Sequence, residues 1–96
     1  MTKKQLIRQR AENARLPWHQ ALIYMTQEEL CIAVKGTEDS TAAHVDTRAA
    51  LSRLADAIGI TAELYITGKF QHSGTYASVW LPLPKALAQI ETAKQK

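Results

Sequence analysis

The sequence predicts a small α+β domain in which a long central helix feeds a C-terminal β-hairpin, with further helices at both ends. Three observations carry that prediction. Leu51, Leu54 and Ile58 recur at the three-and-four spacing that stacks side chains on one helix face, while Arg48, Ser52, Arg53 and Asp56 occupy the rest. Gly59 follows, where a left-handed residue closes a helix. Beyond it, Ile60, Ala62, Leu64 and Ile66 alternate with Thr61, Glu63, Tyr65 and Thr67 at the two-residue period of a half-buried strand. A turn at 68–74 would return the chain so that Thr75, Ala77, Val79 and Leu81 oppose that strand. Leu51, Leu54, Ile58, Leu64, Ile66 and Val79 are then the expected core.

The remaining elements follow in order. Thr2 suits the N-cap of a basic helix over 3–15, whose apolar stripe of Ile7, Ala11 and Ala14 is narrow enough to predict loose docking or fraying. Leu16-Pro17 ends it, because the residue before proline is pushed out of helical geometry. Residues 18–36 admit two readings. Thr26-Gln27-Glu28-Glu29 has the spacing of a capping box, and Gly36 would close a short helix holding Leu30, Ala33 and Val34; Pro17 would open a preceding helix. Yet Leu30, Ile32 and Val34 also alternate with Cys31, Ala33 and Lys35, so that 21–25 and 30–35 would form a hairpin around 26–29. Helices are favoured, since the cap is specific and the turn lacks glycine or asparagine. The hairpin would instead give an antiparallel four-stranded sheet with helices on one face. Asp39, Ser40 or Asp46 caps the long helix, and Pro84 opens a last one with Leu83, Leu87 and Ile90 as its stripe.

Ninety-six residues, 46% hydrophobic and 22% charged, suit one globular domain with a single core. The expected divisions are a basic helix or arm over 1–15, a core over 17–83 and a C-terminal helix over 84–96. Apolar runs are about five residues long, far short of the roughly 20 that span a bilayer, and the charged N-terminus is not a secretory signal. A cytoplasmic location without membrane partners is the expectation. The net charge of +3 is unevenly spread: Lys3, Lys4, Arg8, Arg10 and Arg15 face only Glu12 in the first 15 residues, whereas the body is acidic.

Little in the chain announces chemistry. His19, His44 and His72 are scattered, with no metal-ligand spacing, and no phosphate loop accompanies Gly68 and Gly74. No catalytic residue, metal or cofactor is assigned. Cys31 has no second cysteine to pair with and reads as a small buried hydrophobe. The expected hairpin would place Tyr65, Tyr76 and Trp80 together on the face away from the helix. That strip is either a second core layer covered by another segment or an aromatic contact surface.

Taken in order, the helix beginning Thr26-Gln27-Glu28-Glu29-Leu30, the longer helix with Leu51-x-x-Leu54 ending at Ile58-Gly59-Ile60, and a hairpin ending Val79-Trp80-Leu81 resemble a winged helix-turn-helix DNA-binding domain over about 17–83. The resemblance implies a small regulator of duplex DNA. Thr47, Arg48 and Ser52 would enter the groove, Lys69 and His72 at the wing would touch phosphates, and Lys3, Lys4, Arg8 and Arg10 would anchor the arm. The second expectation is a non-catalytic adaptor or inhibitor, of the kind phages and plasmids encode to block a host defence or nucleic-acid-processing complex, with Tyr65, Tyr76 and Trp80 as its hot spot. A homodimer is compatible with either. Helices over 18–36 favour the first expectation and strands the second.

Overall fold

The computed structural model describes residues 2–92. Eight elements follow one another: α1 (Lys3–Ala11), β1 (His19–Met25), β2 (Glu29–Gly36), α2 (Thr41–Ile58), α3 (Thr61–Thr67), β3 (Lys69–Ser73), β4 (Tyr76–Pro82) and α4 (Leu83–Thr92). The strands form one antiparallel sheet in the order β1-β2-β4-β3. All four helices gather on one face of it, where Leu30, Ile32, Val34, Ala77, Val79 and Leu81 meet Ile7, Leu51, Leu54, Ile58, Ile60, Leu64 and Ile90 in a single core.

The central helix forms as expected. Ser40 is its N-cap, its hydroxyl accepting from the Ala43 amide at 3.1 Å, and Gly59 closes it in the left-handed region at φ 96°. Leu51, Leu54 and Ile58 are buried, joined by Ala43, Thr47, Ala50 and Ala55. Thr2 caps α1 through a capping box completed by Gln5. This helix stops at Ala11 and docks firmly, with Ile7 fully buried. The expected loose arm is therefore a packed element. In α4, Ala86 and Ile90 are buried and Leu83 and Leu87 half-buried; the part of the predicted helix beyond 92 lies outside the described residues.

Two segments differ from the favoured prediction. Residues 19–36 are a β-hairpin, and the reason lies in Thr26. Its hydroxyl accepts from the amides of Glu28 (3.3 Å) and Glu29 (2.9 Å), the bonds that would cap a helix, while its own amide donates to Glu29 O at 2.9 Å and closes a turn. A local hydroxyl-to-amide bond serves a cap and a turn equally. The hairpin wins because Leu30, Ile32 and Val34 can then pair with Leu81, Val79 and Ala77 of β4 beneath α2. With strands here, the order of elements departs from the winged-helix expectation, and the sheet is the four-stranded alternative.

The second difference is α3. Ile60 and Leu64 satisfied a strand period, but they also stand four apart, and they are buried as one turn of helix. Ile66 is 72% exposed and leaves the expected core, and Tyr65 is 71% exposed on the helix side. The residues taken for a turn at 68–74 are strand β3, paired with β4 through the two-residue connection Gly74-Thr75. Gly68 permits this tight passage, since a Cβ there would lie 2.3 Å from Leu64 O and 2.7 Å from a Val79 methyl carbon.

Candidate functional site

Side chains alternate across the sheet, so the face turned away from the helices carries Gln20, Leu22 and Tyr24 of β1, Cys31, Ala33 and Lys35 of β2, Tyr76, Ser78 and Trp80 of β4, and Lys69, Gln71 and Ser73 of β3. The registers arrange these as three cross-strand rows: Tyr24-Cys31-Trp80-Lys69, Leu22-Ala33-Ser78-Gln71 and Gln20-Lys35-Tyr76-Ser73. Small residues occupy the centre. Cys31, Ala33 and Ser78 are buried although none of the described helices covers this face, because the larger side chains of their rows shield them. Tyr24 is exposed, and Leu22, Tyr76 and Trp80 are half-buried. The outcome is a layer of apolar and aromatic groups over a floor of small residues, with Lys69 at one corner and Lys35 within the last row.

The expected aromatic strip is therefore redrawn. Tyr76 and Trp80 do share this face, but Tyr65 belongs to α3 on the other side, and Tyr24 and Leu22 take its place. The alternation Gln20-Leu22-Tyr24 was the available signal for them, hidden by the preference for helices over 18–36.

The residues expected to touch DNA are dispersed. Arg10 is buried, its guanidinium donating to Ile58 O (3.2 Å) and Ile90 O (2.8 Å) at the C-terminal turns of α2 and α4. It complements two helix termini. Thr47 is fully buried; its hydroxyl donates to Ala43 O at 2.8 Å and stands 3.0 Å from His19 Nε2. Since the Thr47 proton is committed to Ala43, His19 donates from Nε2, and its Nδ1 faces the Asp46 carboxylate at 3.9 Å. Asp46 is itself held by Arg53 at 2.5 Å. Neither Arg10 nor Thr47 is presented to a groove. Lys3 pairs with Glu91 at 3.0 Å, while Lys4 and Arg8 are exposed on α1. Arg48 lies over the Phe70 ring at 4.9 Å, beside half-buried Ser52 and exposed His72, at the β3 side. Lys69 is on the helix-free face. α1 contacts β1, whereas Lys69 and His72 belong to β3 and Arg48 lies against Phe70 of β3, so the two cationic groups lie toward opposite edges of the sheet, with Lys69 on the other face from Arg48 and His72.

Cys31 lies within the floor, and burial, with the Glu29 charge adding to it, pushes its thiol up to about 11. It stays protonated and is a poor nucleophile at neutral pH. His44 pairs with Asp39 at 2.9 Å and His72 with Gly74 O at 3.1 Å, both on the surface, and no group of three or more metal-ligating side chains occurs among the described residues. No helix among them is long and apolar enough to cross a membrane. Comparison with family models, curated proteins and solved structures gave no match, so the functional reading rests on the residues themselves.

Proposed function

We propose that this protein is a non-catalytic adaptor or inhibitor that binds a protein partner through the helix-free face of its sheet. The observation that carries the reading is that face itself, where Leu22, Tyr24, Tyr76 and Trp80 share one surface with none of the described helices above them. Aromatic anchors surrounded by near-neutral polar residues are the usual make-up of an interface hot spot. Phosphate is a weaker candidate ligand: among the described residues Lys35 and Lys69 are the only cations on the strands of this face, they stand in different rows, and the segment 16–84 carries four cations against seven carboxylates.

The test compares Trp80→Ser and Tyr76→Ser with Lys4→Gln, since Lys4 is exposed on α1, outside this face and outside the cleft between α1 and β1. The wild-type chain is used to isolate a partner, which is then purified and titrated by calorimetry against each variant, with folding checked by thermal melt. Loss of affinity by about 30-fold or more in the folded Trp80 variant, with Lys4→Gln within twofold, supports the reading, since a hot spot is worth about 2 kcal/mol or more. Binding of single- or duplex DNA at about 50 mM salt, where phosphate contacts are strong, that is weakened by Lys4→Gln and indifferent to Trp80 would overturn it.

A further inference from the structure

The sheet ends in two edge strands, and they differ. Thr37 N donates to Trp18 O at 2.8 Å and Thr26 N to Glu29 O at 2.9 Å, which fixes the phase of the β1–β2 ladder. In an antiparallel pair only alternate residues exchange bonds, so Gln20, Leu22 and Tyr24 spend their backbone groups on Lys35, Ala33 and Cys31. His19, Ala21, Ile23 and Met25 turn theirs outward. On the opposite edge, by the same alternation from the Ser73–Tyr76 pair that closes the hairpin, only Phe70 and His72 do so. The β1 edge is thus the longer template.

It is also walled. Arg8 and Ala11 of α1, with Glu12 at its C-cap, line a cleft of about 400 Å³ together with Ala21, Leu22, Ile23 and Tyr24 of β1. The volume falls in the range of ligand sites. Small side chains at Ala11 and Ala21 keep the slot open. Neither Arg8 nor Glu12 has an ion-pair partner among the described residues. They lie one helical turn apart, about 6 Å, close to the roughly 6.8 Å between residues i and i+2 on one side of an extended strand.

We infer that the cleft between α1 and β1 is a docking slot for an extended peptide segment of a partner protein, which adds to the sheet as a fifth strand at Ala21 and Ile23 and offers a carboxylate to Arg8 and a basic residue two positions away to Glu12. Main-chain bonds to the four outward groups of Ala21 and Ile23 supply affinity, and the charge pair sets orientation and register. The slot shares Leu22 and Tyr24 with the aromatic face, but it reaches across to α1 and does not include Tyr76 or Trp80.

The probe is a capped hexapeptide, Thr-Val-Asp-Val-Lys-Val, set against its Lys-Val-Asp inverted counterpart and a version N-methylated at the two valines that flank the aspartate. Amide hydrogen exchange and chemical shifts of the folded protein are read residue by residue. The expected result is at least tenfold slower exchange at the Ala21 and Ile23 amides with the first peptide, loss of that protection with the N-methylated one, and exchange of preference between the two charge orders in Arg8→Glu/Glu12→Arg. Trp80→Ser leaves these effects in place, which separates failure here from failure of the proposed function. Absence of protection at Ala21 and Ile23, protection at Phe70 and His72 instead, equal binding of the N-methylated peptide, or self-association through β1 in place of peptide binding would each overturn the inference.

Discussion

Arg10 offers the sharpest test of the fold, because sequence placed it on a phosphate-binding surface and the tertiary structure buries it. Replacing it by Met keeps a long apolar stem and removes the two bonds from the guanidinium to Ile58 O and Ile90 O. Hydrogen bonds from a charged donor are each worth about 1.5–3 kcal/mol net. Both start from the same nitrogen, and burying a guanidinium carries a desolvation cost that Met avoids, so the net loss is about 2–4 kcal/mol. An unfolding entropy of about 2.1 cal/mol/K per residue gives about 0.2 kcal/mol/K for this chain, and hence a fall in Tm of about 10–20 °C. Arg8→Met is the control: Arg8 is exposed on the same helix, has no ion-pair partner among the described residues, and its loss should stay within about 0.5 kcal/mol. Both variants are measured by calorimetric melts at low and moderate salt. Equal Tm values for the two would refute the reasoning, as would an Arg10→Met loss that salt alone reproduces in the wild type.

Two further predictions follow from burial. Leu54→Ala should cost about 2–5 kcal/mol through lost transfer energy and a residual cavity, because Leu54 is 0% exposed beneath the sheet, whereas Ile66→Ser should change stability by less than about 0.5 kcal/mol; similar urea midpoint shifts for both would contradict the placement of α3. Cys31 should alkylate about 100-fold more slowly than an ordinary thiol at pH 8 from thiolate fraction alone, given a pKa raised from 9.0 to about 11, and more slowly still for its burial. The folded state favours the protonated thiol, so its contribution to stability is complete below about pH 9 and is lost as pH rises toward 11. Iodoacetamide kinetics in native buffer and in urea measure the first, and melts between pH 8 and 11 in wild type and Cys31→Ala the second. Comparable native and unfolded labelling rates would show that the thiol lies outside the floor of the sheet.

The sequence by itself determined what short-range chemistry determines. The Thr2 cap, the Leu51, Leu54 and Ile58 stripe and the left-handed Gly59 each involve groups within one or two turns of helix, and each stands where the residues placed it. The same local chemistry left other segments degenerate. Thr26 makes hydroxyl-to-amide bonds that suit a helix start and a hairpin turn alike, and Ile60 and Leu64 satisfy a period of two and a spacing of four alike. Only the pairing of β2 with β4, about fifty residues later in the chain, selects strand for 29–36, and only burial against α2 and the sheet selects helix for 61–67. The candidate surfaces depend on that selection. Trp80 and Tyr76 were legible as members of an aromatic face, while Leu22, Tyr24 and the cleft beside α1 exist only once β1 is an edge strand. Arg10 shows the reverse dependence, since a cation in a basic helix reads as a solvated charge until two helix C-termini, 48 and 80 residues further along the chain, arrive to accept its hydrogen bonds.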